Sequence, residues 1–146
     1  MLTAMRETYH SGPGAKGTFA PVPAETEKVA AAVVDAAFKV HAALGPGLLE
    51  SVYEACLCHE LRRGGVPFRS QVALPVSYRG IRIDPGLRLD VLANEQVIVE
   101  LKAVEEMQGL YDAQLLTYLK LTGPRLGLLI NFNVPLIKQG IRRIVR

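Results

Sequence analysis

The chain predicts a mixed α/β domain, a central sheet flanked by helices in the order ααβββαβ. Three observations lead there: two successive helical periodicities over 26–63, alternating strands between 69 and 103, and a further helix leading into a short, apolar, β-compatible run that ends at residue 132. With 146 residues, 49% of them hydrophobic, and a positive mean hydropathy, one packed core is affordable.

From Thr26 to Leu44, the residues Val29, Val33, Val34, Ala37, Phe38, His41 and Leu44 recur at helical spacing and define one apolar stripe. Gly45, Pro46 and Gly47 stop that helix. His41, lying on the stripe, reads as a hydrogen-bonded packing residue rather than a ligand. A second helix is predicted from Leu48 to Arg63, closed by Gly64 and Gly65, with Glu50, Tyr53 and Leu57 along one side. Cys56 and Cys58, the only cysteines, point to different sides of it and suit neither a local disulfide nor a zinc site.

A strand over Arg69–Tyr78 leads to a turn at Arg79 and Gly80, and then to a hairpin from Leu87 to Ala103. In that hairpin Leu87, Leu89, Val91 and Ala93 alternate with Arg88, Asp90 and Leu92, and Val97, Val99, Leu101 and Ala103 alternate with Ile98, Glu100 and Lys102. Matching the apolar faces sets Leu89 against Leu101 and Val91 against Val99, with a three-residue turn at Asn94, Glu95 and Gln96. Asp90 then faces Glu100. Two opposed carboxylates repel at a cost of roughly 0.2–1 kcal/mol, which a bound cation would reverse. Lys102, two residues further on the same face, supplies one positive charge, and a hard divalent metal could supply more.

The next helix is predicted from Leu110 to Leu121, ended by Gly123 and Pro124, and Leu126–Phe132 reads as a buried strand. The tail from Leu136 to Val145 reads as a strand or short helix. Residues 1–24, rich in Gly, Pro, Ala and Thr, are expected to be a flexible extension of a single domain over 25–146. Within them Gly12–Thr18 superficially matches a phosphate loop, but Thr18 stands where lysine is required and no strand precedes it.

A net charge of +3 and a pI near 9.0 are compatible with a polyanionic partner without requiring one. No apolar run approaches the ~20 residues of a membrane span. The opening segment lacks a secretory leader pattern, so a cytoplasmic location and no membrane partner are expected.

Gly47, Glu50 and Tyr53 fit the pattern Gly-x-x-Glu-x-x-Tyr, and Asp90, the Glu100-x-Lys102 element and Gln114-x-x-x-Tyr118 follow in order. This combination resembles the PD-(D/E)XK nuclease superfamily, and residues 26–146 resemble more narrowly the small bacterial family named GxxExxY. Leu89 stands where the first motif has proline, which contributes backbone shape and no ligand. Asp84 and Pro85 occur in reverse order, six residues early, and are left out of the site.

The resemblance implies a restriction-endonuclease-like αβββαβ core with an extra N-terminal helix, and hydrolysis of phosphodiester bonds in DNA or RNA. It implies Mg²⁺ or Mn²⁺ held by Asp90, Glu100, the Leu101 carbonyl and Glu50, with Lys102 acting on the attacking water. Gln114, Tyr118 and Tyr53 would position Lys102 or the substrate. Arg88 and the tail residues Lys138, Arg142, Arg143 and Arg146 would contact phosphates. The competing reading is a non-catalytic nucleic-acid-binding or accessory module that keeps the fold. The chain has no room for a separate groove-reading domain, so strong sequence specificity would require a homodimer or a larger assembly.

Overall fold

The computed structural model describes residues 7–9 and 20–146. Strand β1 (Glu7–Tyr9) precedes helices α1 (Ala24–Leu44) and α2 (Glu50–Arg63), and strands β2 (Phe68–Tyr78), β3 (Ile81–Ala93) and β4 (Val97–Lys102) follow. Helix α3 (Gly109–Thr122), strand β5 (Leu126–Asn131), the single turn α4 (Ile137–Gly140) and strand β6 (Ile141–Val145) complete the chain. The tail is thus a helical turn running directly into a strand. Most of the stretch expected to be a flexible extension, including Gly12–Thr18, lies outside the described residues, but within it Glu7–Tyr9 pairs parallel to β6.

The six strands form one mixed sheet in the order β1-β6-β5-β4-β3-β2. Parallel pairing of β4 with β5 requires a crossover, and α3 supplies it. Along β4 and β5 successive residues point to opposite faces. Val97, Val99, Leu101, Leu128 and Ile130 pack with α1 and α2, whereas Ile98 and Leu129 pack with Leu115 and Leu119 of α3. The result is a sheet covered on both faces. Gly127 allows the closest part of this packing, since a Cβ there would lie 2.8 Å from the Leu115 side chain.

Two local departures from the sequence reading shape the functional end. β3 begins at Ile81, six residues before the predicted hairpin, and forms with β2 a long antiparallel ribbon that turns at Arg79 and Gly80, both at positive φ. Alternation along β3 also breaks: Leu87 and Leu89 pack with α3, but Val91 and Ala93 pack with α1 and α2. The break falls at Asp90, across from Gln71, whose φ is 50°. The predicted single apolar face of β3 is therefore divided between the two layers.

Candidate active site

Asp90 sits where β3 and β4 part. Their ladder pairs Val91 with Val99, Leu92 with Ile98 and Ala93 with Val97 around the predicted Asn94–Gln96 turn, in the expected register, and goes no further. Beyond it, side chains replace main-chain pairing. The Leu101 N–H donates to Asp90 Oδ2 at 2.9 Å, and the Asp90 N–H points to Glu100 Oε1 at 3.3 Å. Asp90 and Glu100 thus meet in the opening between the strands rather than as a regular cross-strand pair. Lys102 hands its carbonyl to Phe132 on the β5 side, so alternation turns the N–H and C=O of Leu101 toward the opening.

Glu100 is only 7% exposed. Burial, and next the adjacent Asp90 charge, push its pKa up to about 9, opposed by the Asp90 N–H and by Lys102. Glu50, the first residue of α2, comes from the opposite layer. Although exposed as a residue, its carboxyl is held above its ordinary pKa by desolvation and then by the Asp90 charge, with Lys102 pulling it down. Asp90, Glu100, Lys102 and Glu50 therefore share one electrostatic neighbourhood. Among the described residues, however, no three His, Cys, Asp or Glu side chains converge as a ready metal cage, so Glu50 stands off from the acidic pair.

The clasp that places Glu50 is Tyr53. Its hydroxyl donates to the Gly45 carbonyl at 2.6 Å and accepts the Leu48 N–H at 3.1 Å, while its ring stacks on Phe132 at 4.6 Å. Gly45 and Gly47 have φ of 67° and 98°, which side-chain-bearing residues rarely adopt. The turn delays α2 to Glu50, two residues later than predicted, with Leu49 as its N-cap. Tyr53 is fully buried and holds this turn, so it does not position Lys102 or substrate directly.

On the other face Lys102 lies over the ring of Tyr111, its Nζ 4.4 Å from the centroid. Tyr111 was missed in the sequence although it sits three residues before Gln114 on the same side of α3. Gln114 donates to the Tyr118 hydroxyl at 2.7 Å, as their spacing allows, but it is exposed rather than turned inward. Asn131, also missed, is 1% exposed and grips Val104: its Oδ1 accepts the Val104 N–H at 3.1 Å and its Nδ2 donates to the Val104 carbonyl at 2.9 Å. This fixes the chain as it leaves Lys102.

Arg88 is exposed two residues before Asp90. Much of the basic tail is spent internally. Arg142 pairs with Asp112 at 2.6 Å, Arg143 grips Glu27, and Arg146 donates to the Gly123 carbonyl at 2.8 Å at the end of α3. Lys138, in the single turn α4, is exposed. His41 donates to the Val134 carbonyl at 2.8 Å, as expected of a packing histidine, and Cys56 and Cys58 are free thiols.

The acidic pair suits a divalent cation on the chemistry of its donors: hard carboxylate oxygens, with Glu100 resisting ionisation through its burial and then through the adjacent Asp90 charge. No helix among the described residues is long and apolar enough to cross a membrane. No curated protein and no solved structure matches the chain. The family model of the PD-(D/E)XK nuclease superfamily matches residues 27–144, which span both helical layers, the opening between β3 and β4 and the Glu100-x-Lys102 element, and the chain belongs to that superfamily.

Proposed function

We infer that this protein is a metal-dependent nuclease that hydrolyses phosphodiester bonds in DNA or RNA, with Asp90, Glu100 and Lys102 as its catalytic residues. The observation that carries the reading is the meeting of Asp90 and Glu100 in an opening of the sheet, with the Glu100 carboxyl buried there and its pKa raised first by that burial and then by the Asp90 charge. Mg²⁺ or Mn²⁺ would be held by these two carboxylates and the Leu101 carbonyl, with Glu50 at the start of α2, in the same electrostatic neighbourhood, as the candidate further ligand. When bound, such an ion supplies Lewis acidity to the scissile phosphate.

The chain's own contributions follow from the geometry. Leu101 orients the Asp90 carboxylate through its N–H, and burial around Glu100 raises its hold on a proton that a bound cation would displace. Lys102, against the ring of Tyr111, would orient or help deprotonate a water and meet charge developing on the phosphoryl oxygens. Gly47, Glu50 and Tyr53 act as one unit, a turn clasped by the tyrosine that delivers the glutamate, which supports assignment to the GxxExxY family.

The accessory-module reading draws on two observations: Lys102 rests against Tyr111, and among the described residues no third acid converges on the pair as a ready metal cage. Incubating the protein with Mn²⁺ or Mg²⁺ and labelled DNA and RNA, single-stranded, duplex and branched, separates the two. Cleavage that stops with chelator, with Glu100→Gln and with Lys102→Ala is the expected result. Equal cleavage by wild type and Lys102→Ala, or no calorimetric binding of either ion, would overturn the assignment.

A further inference from the structure

The distal part of the β2–β3 ribbon covers nothing and is covered by nothing among the described residues, yet it carries aromatic, aliphatic and cationic side chains. Tyr78, Ile81 and Ile83 are 57%, 58% and 46% exposed. Tyr78 pairs with Ile81 and Val76 with Ile83, so these side chains share one face, which continues the apolar row of Leu74 and Val76 beyond the reach of α3. Between Pro75 and Arg88 the charged residues are three arginines, Arg79, Arg82 and Arg88, against the single Asp84, and all four are exposed. The Arg79 guanidinium lies 5.7 Å from the Tyr78 ring centroid, and Arg82 meets Asp84 at 3.0 Å in an exposed pair that an incoming phosphate can replace at little cost.

Topology fixes where this arm stands. β4 ends at Lys102 and the β3–β4 ladder ends at Val91 and Val99, while β3 runs on in the opposite direction to β4, back through Asp90 to Ile81. The arm therefore projects from the same end of the sheet as Asp90, Glu100 and Lys102. Counted along β2, since β3 bulges between Ile83 and Leu87, at ~3.3 Å per residue its tip stands roughly 23 Å beyond Asp90. A strand of nucleic acid entering the opening between β3 and β4 has this ribbon as its flank.

We propose that the β2–β3 arm is a clamp for single-stranded nucleic acid beside the cleaved bond, with Tyr78 offering its ring to an unstacked base and Arg79 beside it, while Arg82 and Arg88, which alternation turns to the opposite face, meet phosphates as the strand wraps the edge of the ribbon. The proposal deepens the nuclease reading and rests on it for the placement of the cut. An aromatic ring with flanking arginines is a sequence-tolerant platform, because every base has a π-face and every linkage a charge. Negative phosphates complement the arm's surplus of positive charge, which a second copy of the same surface would not.

The test is fluorescence anisotropy with a labelled mixed-sequence oligonucleotide, as DNA and as RNA, single-stranded or annealed to its complement, in chelator so that no turnover occurs. Tyr78→Ala should weaken single-strand binding roughly 5- to 100-fold and Tyr78→Phe should leave it intact. Each of Arg79→Ala, Arg82→Ala and Arg88→Ala should lower the salt dependence of binding by ~0.7 in log–log slope. Unchanged affinity in Tyr78→Ala, duplex bound as tightly as single strand, or a concentration-dependent dimer that Tyr78→Ala dissolves would each overturn the clamp. Because these side chains are exposed, their loss should leave folding and calorimetric metal binding unaltered. If wild type binds through the arm but cuts nothing, the nuclease reading fails and the arm stands. If wild type cuts and Tyr78→Ala cuts with the same KM, the arm falls and the nuclease stands.

Discussion

Asp90 accepts through its side chain the N–H of Leu101, a donor that a continuous ladder would have satisfied with a main-chain carbonyl. The carboxylate thereby seals the end of the β3–β4 pairing and brings its charge to Glu100. Asp90→Asn keeps an oxygen for Leu101 and removes the charge. It should retain wild-type stability within ~0.5 kcal/mol in urea denaturation while lowering metal-dependent cleavage by about 100-fold or more. Asp90→Ala also orphans the Leu101 N–H and should lose about 1–3 kcal/mol besides.

Glu100 sets a pH dependence of unusual sign for a carboxylate. Its pKa is about 9 in the folded chain and ordinary, about 4.3, once unfolded. Between those values the native state binds the extra proton, so stability falls as pH rises through the window. Glu100→Gln should flatten that slope in chelator-treated protein, measured as urea midpoints across the pH range. Binding of Mg²⁺ or Mn²⁺ should release protons and tighten with rising pH, read by calorimetry in buffers of different ionisation enthalpy.

Lys102 and Tyr111 form the contact that the sequence concealed. Replacing Tyr111 with Leu leaves the lysine without its aromatic rest and should impair cleavage more than Gln114→Ala. Gln114 is exposed, and its loss should change stability by less than ~0.5 kcal/mol. Parallel cleavage assays and thermal melts on the two variants check the order.

Tyr53→Phe keeps the stack on Phe132 but strips the hydroxyl from Gly45 and Leu48. A loss of about 1–3 kcal/mol is expected from the unpaired groups it leaves, with weaker metal binding as Glu50 drifts. Tyr53→Ala should cost about 3–5 kcal/mol, because a buried ring is removed as well.

Gly127→Ala drives a Cβ to within 2.8 Å of Leu115, at the closest approach of α3 to the sheet. A destabilisation of about 1–3 kcal/mol is expected in denaturant titration. Since α3 carries Tyr111, cleavage should fall along with stability.

Helix positions, the Arg79–Gly80 and Asn94–Gln96 turns and the register of Val91 with Val99 were legible because each depends on local periodicity and turn chemistry. The same alternation singled out Asp90, Glu100 and Lys102 on the polar side of the hairpin. It could not foresee that β3 changes face at Asp90, because that break is shared with Gln71 on a strand about twenty residues away in the chain. Nor could spacing tell that Tyr53 clasps a turn, that Gln114 faces outward, or that Arg142 and Arg143 are held by Asp112 and Glu27.

Residue order alone therefore predicted the two leading helices, the strands β2 to β5 with α3 between β4 and β5, and put forward Asp90, Glu100 and Lys102 as an acidic pair with its lysine, since neighbours within a few residues dictate pattern and pairing. Where those charges end up, and which residues attend them, was settled by packing: the strands part beside Asp90, Glu50 arrives from one layer and Tyr111 from the other. Such contacts join positions far apart in the chain, and their energies exist only once both layers close on the sheet.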